Sequence, residues 1–190
     1  RVGRVTEPAV RVVEVGYTTT AFDRALLALN DVHSGRVVVG VSPIVQGVGR
    51  LAGDILAALG KDSWIAPHSR TRGLESGWTH DWLVGHDVQR VVFAYADMLP
   101  DAVLAEATAV VSGAGAEAWW MSRTPEGALN AASLLRCPLE AVGPDKALPF
   151  VTQLPSRAPV LVNAPRPFAE RLAPLPGAPR RPDVVRRLRV

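Results

Sequence analysis

The residues best able to do chemistry lie where a short apolar run meets glycines and a cation. Residues 36–41 (RVVVGV) lead into SPIVQGVGR and then RLAGDILAAL, which reads as strand, glycine-containing loop and helix. Such a unit can hold a phosphate. Consecutive backbone N–H groups and the helix N-terminus face the anion, and a cationic side chain balances its charge. Laid on the phosphate-loop pattern G-x-x-x-x-G-K-[ST], the window IVQGVGRL puts Gly49 on the second glycine and Arg50 on the lysine, with Gly47 just before them. Ile44 stands at the first glycine and Leu51 at the magnesium-binding hydroxyl. Arginine still neutralises phosphate, through a longer planar fork. Leucine cannot ligate Mg²⁺, and without the metal the charge of a transferring phosphoryl group is poorly stabilised. The competing interpretation is a strand–helix turn whose glycines only permit tight packing.

Two later stretches bear on the same chemistry. Residues 88–95 (VQRVVFAY) form a second apolar run whose end carries Ala94 and Tyr95, with Asp97 two residues on. Asp97 is a candidate for metal or phosphate contact, but it comes late for a direct match, and capping the next turn is the simpler role. Ser122, Arg123 and Thr124 follow a third run, and Thr124 also suits a helix cap.

Other chemistries find less support. His68, His80 and His86 share a stretch with Glu75, Asp81 and Asp87, but His80 and His86 do not share a helix face. Ser42 lacks a G-x-S-x-G elbow, and Cys137 has no motif around it. Gly47 and Gly49 supply only the G-x-G of a dinucleotide fingerprint. Metal binding, Ser or Cys hydrolysis and dinucleotide binding are therefore set aside, with core packing or plain loop as the simpler explanation.

These residues need a frame. Residues 10–15 read as a valine-rich strand, followed by a helix with Thr20 as its N-cap and Asp23 three residues on. Gly60 closes the helix over 50–59, and 63–66 (SWIA) reads as a short strand. A short helix is expected over 78–84, a helix capped by Asp101 up to about Gly113, a strand over 116–122, and a helix from Thr124 and Pro125 to about Leu135. Trp119 and Trp120 are adjacent, so in a strand they face opposite sides, one toward the core and one toward a surface contact. Strand–helix alternation predicts an α/β domain, a mostly parallel sheet with helices on both faces. Ligands then belong at the strand C-termini, in loops 42–50, 67–77, 95–100 and 122–125.

From Pro138 the character changes. Eleven of the 16 prolines lie in residues 138–182, which argues against long regular helices. The expected organisation is a flexible lead-in over 1–9, an α/β domain over 10–137, a Pro-rich extended segment over 138–178 with room for one strand at 159–163, and a basic tail over 179–190.

The order of elements over residues 22–135 resembles the P-loop NTPases of the AAA/RecA-like group, including bacterial ATPases that assist transposition or recombination. The resemblance rests on topology and on the GVGR helix start. It departs at Ile44, Leu51, Ala94 and Tyr95. It implies a pseudo-ATPase: a fold kept for binding ATP or GTP, or a protein partner or second copy, after the chemistry was lost. An active NTPase using Arg50 and Asp97 in unusual roles is the first alternative.

Charge supplies the second alternative. The chain has 190 residues and a formal charge of +3. The tail, with Arg180, Arg181, Arg186, Arg187 and Arg189 against Asp183, carries +4, so the remainder sums to −1. Such an arm suits phosphate backbones or acidic partners and would make the chain a nucleic-acid-binding accessory. Arginine outnumbers lysine 19 to 2, which follows the coding bias of GC-rich bacteria and weakens any inference from Arg over Lys. A 48% hydrophobic chain can bury a core. It has no apolar run of about 18 residues for a membrane span. One cysteine excludes an internal disulfide framework. A cytoplasmic setting is the default expectation, and a start without Met reads as a trimmed chain or fragment.

Overall fold

The structure is a computed structural model, and it describes residues 10–41, 47–61 and 74–152. Five strands are joined by six helices: β1 (Val10–Glu14), α1 (Thr20–Ala28), β2 (Arg36–Gly40), α2 (Val48–Ala58), α3 (Leu74–Gly85), β3 (Arg90–Ala94), α4 (Asp101–Gly113), β4 (Glu117–Ser122), α5 (Pro125–Leu135), β5 (Leu139–Ala141) and α6 (Pro144–Thr152). The strands form one sheet in the order β2-β3-β4-β1-β5, and every pairing is parallel. The expected parallel α/β sheet is therefore present.

Side-chain alternation assigns the two faces. Val12, Val37, Val39, Val91, Phe93, Ala118 and Trp120 point to one face, where α2, α3, α4 and α5 cover them with residues such as Ile55, Leu83, Val103 and Ala128. Val13, Val38, Val92, Trp119 and Met121 point to the other, where α1 and α6 supply Phe22, Leu26, Ala147 and Val151. Because both faces are covered, the strands read as near-continuous apolar runs. Trp120 is fully buried and stacks on Phe93 with centroids 3.9 Å apart. Its indole N–H donates to Thr108 Oγ1 at 2.9 Å, so burial leaves no polar group unpaired there.

Several expectations need correction. Trp119 is also buried, 3% exposed, because α6 roofs its face; Phe150 lies 4.9 Å from its ring and the Arg90 guanidinium 3.7 Å. Neither tryptophan is a surface contact. The N-cap of α1 is Thr19, whose side chain accepts from the Phe22 N–H, so Thr20 is the first helical residue. Pro100 precedes α4, and Asp101 occupies its first turn rather than its cap. The helix expected at 78–84 spans Leu74–Gly85.

The domain does not end at residue 137. β5 pairs with β1, Val12 beside Leu139 and Glu14 beside Ala141, and α6 follows it. Proline is compatible with this helix because Pro144 sits at its first position, where no N–H partner is needed. Pro149 lies inside α6, which is only nine residues long. The strands expected at 63–66 and 159–163, the lead-in over 1–9 and the basic tail lie outside the described residues. Among the described residues no helix is long and apolar enough to cross a membrane.

Candidate functional site

The chain leaves β1 through α1 on one face of the sheet and leaves β4 through α5 on the other. β1 and β4 are neighbours. Their carboxyl ends therefore diverge and open a crevice between loops, the place where open α/β sheets receive ligands. Three loops meet there: residues 15–19, 95–100 and 122–124.

The loop after β1 is tied to β4 by the Val15 N–H, which donates to the Ser122 carbonyl at 2.9 Å. Gly16 then turns with φ of +69°. A Cβ there would meet nothing within 4 Å, so the space above it is open. The Thr18 hydroxyl donates to Asp23 Oδ1 at 3.0 Å, which fixes the first turn of α1. Tyr17 is 90% exposed at the mouth.

The loop after β3 starts with a strained residue. Tyr95 has φ of +69° and ψ of 52°, the left-handed conformation, which costs a non-glycine residue about 1–2 kcal/mol. The Arg123 guanidinium lies over its ring, 4.3 Å from the centroid. Its hydroxyl oxygen is buried beside Thr18 and Asp23 without a well-formed hydrogen bond to either. Burial, reinforced by Asp23, pushes the Tyr95 phenol up to about 12.

The loop after β4 is held by Asp97, which accepts from the Arg123 backbone N–H at 3.1 Å and lies 3.5 Å from its Nη2. The same Nη2 approaches Met98 Sδ at 3.0 Å. Ser122 Oγ donates to the Thr124 carbonyl at 2.9 Å, and Thr124 Oγ1 accepts from the Gly127 N–H at 3.2 Å. The expected cap at Thr124 is present. Gly127 lets these groups converge: a Cβ there would sit 2.6 Å from Asp97 Cβ and 2.7 Å from Thr124 Oγ1.

The residues singled out for phosphate divide between two places. Gly47 is the N-cap of α2, and Gly49 and Arg50 lie in that helix's first turn. Residues 42–46 lie outside the described residues. Arg50 is exposed, and its charge partly offsets the burial that raises the Asp54 carboxyl. The strand feeding this turn, β2, is the edge of the sheet. Asp97 instead joins Arg123 at the β1–β4 crevice. It braces the loop after β4 rather than capping its own turn. Arg180, Arg181, Arg186, Arg187 and Arg189 lie outside the described residues.

Sequence reasoning passed over Gly16, Thr18 and Tyr95 as site residues. A signal existed in GYTTT directly after the run VRVVEV, a glycine and three hydroxyls opening a helix. The left-handed Tyr95 had none.

Among the described residues no group of three His, Cys, Asp or Glu side chains could hold a metal. His80 contacts Asp81 and the Gly113 carbonyl, while His86 stacks on Trp82. Cys137 is half-buried, and burial pushes its thiol up, away from the nucleophilic form. No known family model matches the chain, and no curated protein matches it either.

Proposed function

We propose that this chain is a degenerate P-loop-like protein, a pseudo-ATPase retained as a partner-binding or assembly component. The observation that carries this reading is the end of β3. A hydrolase of this architecture needs a carboxylate there to position metal and water. Here Ala94 and Tyr95 hold those positions. The nearest acid, Asp97, is engaged by the Arg123 backbone and guanidinium. Leu51, at the magnesium-binding hydroxyl position, is fully buried in the core. The parallel sheet with helices on both faces supports the kinship without specifying it.

The assembly part of the reading rests on α3. Trp78 and Trp82 lie one turn apart, each 38% exposed, and Lys61 Nζ sits 4.1 Å from the Trp82 ring centre. Exposed tryptophans of this kind serve as interface anchors.

Calorimetry with ATP and GTP, with and without Mg²⁺, together with a phosphate-release assay, tests the proposal. Magnesium-independent binding or no binding, with no turnover, is expected. Clear Mg²⁺-dependent turnover would remove it in favour of an active enzyme, and an Arg50→Ala variant retaining full turnover would then exclude Arg50 from the chemistry.

A further inference from the structure

We infer that α6 is a hinged flap over the Trp119 side of the sheet, latched near its end by Arg90 and by the contact of Phe150 with Trp119, and able to swing away while the sheet stays folded.

The helix is weak in its own right. Its nine residues fall short of the roughly 12–15 that an isolated helix needs in water. Pro149 lies inside it and has no N–H to offer the Asp145 carbonyl, so one rung of the helix is missing. Ala147 and Val151 are the residues it buries fully. A groove of about 520 Å³ runs beside it, lined by Ala141, Val142, Lys146, Pro149 and Phe150, so that flank of the helix is not packed.

The hinge is the residue that leaves the sheet. The chain is pinned up to Val142, whose N–H donates to the Glu14 carbonyl at 2.8 Å. Gly143 follows, and a Cβ there would meet nothing within 4 Å. Glycine's wide range of φ and ψ lets the chain change direction at that point.

The latch is a buried polar knot. Arg90 Nε and Nη2 reach Glu117 Oε2 at 2.9 and 2.8 Å, and Nη1 donates to the Val151 carbonyl at 3.3 Å. A cation on the last carbonyls of a helix also complements its dipole. The guanidinium lies 3.7 Å from the Trp119 ring centre, and the Trp119 indole N–H donates to Glu117 at 3.2 Å. Phe150 approaches the same ring, 4.9 Å between centroids. Most of this knot joins β3 to β4. Among these contacts, those to the Val151 carbonyl and to the Phe150 ring are the ones that reach α6. The flap can therefore open without parting Arg90 from Glu117, the step that would strand a buried charge. Opening uncovers Trp119, with Val13 and Met121 on the same face. Thr152 leads directly into residues 153–190, so a pull on that arm acts on the latched end of the helix.

The test is native-state hydrogen exchange of the full chain, followed amide by amide. The amides of Leu148, Phe150, Val151 and Thr152 should exchange through a local opening, about tenfold or more faster than the paired amides of β1, β3 and β4. Phe150→Ala should speed the remaining α6 amides about tenfold, part of the weight of a buried aromatic contact. Thr108→Val disturbs the Trp120 face of the sheet, so it should speed the strand amides and leave those of α6 unchanged. Urea below the unfolding midpoint should likewise speed the strand amides more steeply than α6, because local opening exposes less surface. This comparison needs no variant and decides the matter if either substitution prevents folding. Exchange of α6 at the rate of β3 and β4, or acceleration of both alike by Thr108→Val or urea, would overturn the flap. An α6 rate unmoved by Phe150→Ala would overturn the latch. Magnesium-dependent ATP turnover would sink the pseudo-ATPase reading without touching this one.

Discussion

Replacing Gly127 by alanine tests the convergence of β3, β4 and α5 directly. In an open helix position the change should stabilise, because glycine costs about 1 kcal/mol against alanine. At Gly127 the new Cβ would lie 2.6 Å from Asp97 Cβ, 2.7 Å from Thr124 Oγ1 and 3.1 Å from Ser122 Oγ. Two of these neighbours cannot swing away cheaply. Asp97 Cβ is one bond from the backbone, and Thr124 Oγ1 serves as the α5 cap. Displacing the cap costs about 1 kcal/mol, and forcing a methyl into a filled space costs about 1–3 kcal/mol. Set against the gain of about 1 kcal/mol from helix propensity, the net is a loss of about 1–3 kcal/mol. Gly77→Ala in α3 is the matched control, since a Cβ there meets nothing within 4 Å. Urea denaturation of both variants reads the difference as a change in midpoint at constant slope. The expectation is opposite signs, with Gly77→Ala gaining. If Gly127→Ala is as stable as the wild type, Asp97 does not press on α5 and the described site geometry is wrong.

Further outcomes follow from the same structure. Thr108→Val strands the Trp120 indole N–H in the core and should cost about 1–3 kcal/mol in chemical denaturation, more than the loss of one exposed hydroxyl. Tyr95→Phe removes a buried hydroxyl that makes no well-formed hydrogen bond, so stability at neutral pH should hold or rise. Because the Tyr95 phenol is raised from 10.0 to about 12, the folded state keeps its proton where the unfolded chain loses it. Its contribution is whole below about pH 10 and is lost as pH climbs to about 12, and the Phe variant should lack that part of the alkaline slope in a pH series of denaturation curves.

How much of this was legible depended on what each signal reports. RVVVG, RVVFA and EAWWM announced β2, β3 and β4 because both faces of those strands are covered. The same signal could not rank them in the sheet. β2 has the cleanest apolar run and lies at the edge, since burial above and below says nothing about hydrogen-bonded neighbours on either side. Three-residue β5 is too short to show a period and sits between prolines. Thr124 was legible as a cap because its pattern is local. The Asp97–Arg123 pair spans 26 residues and was not, because only the β3–β4 pairing brings it together.

The position of β1 in the order is the point on which the functional geometry turns. A helix that follows an edge strand, as α2 follows β2, has a strand end on one side only. A loop following β1 has β4 on one side and β5 on the other, and the chain leaving β4 departs to the opposite face. That divergence makes the β1–β4 crevice the place where an open α/β sheet takes a ligand. The groups found in that crevice are the Arg123 guanidinium, engaged by Asp97 and Met98, and the Tyr95 hydroxyl beside Thr18 and Asp23. A phosphate held at Gly47–Arg50 would have Arg50 on an exposed helix surface as its only cation from the described part of that turn. An arginine free to follow solvent loses side-chain entropy on binding, whereas Arg123 is already fixed by Tyr95 and Asp97.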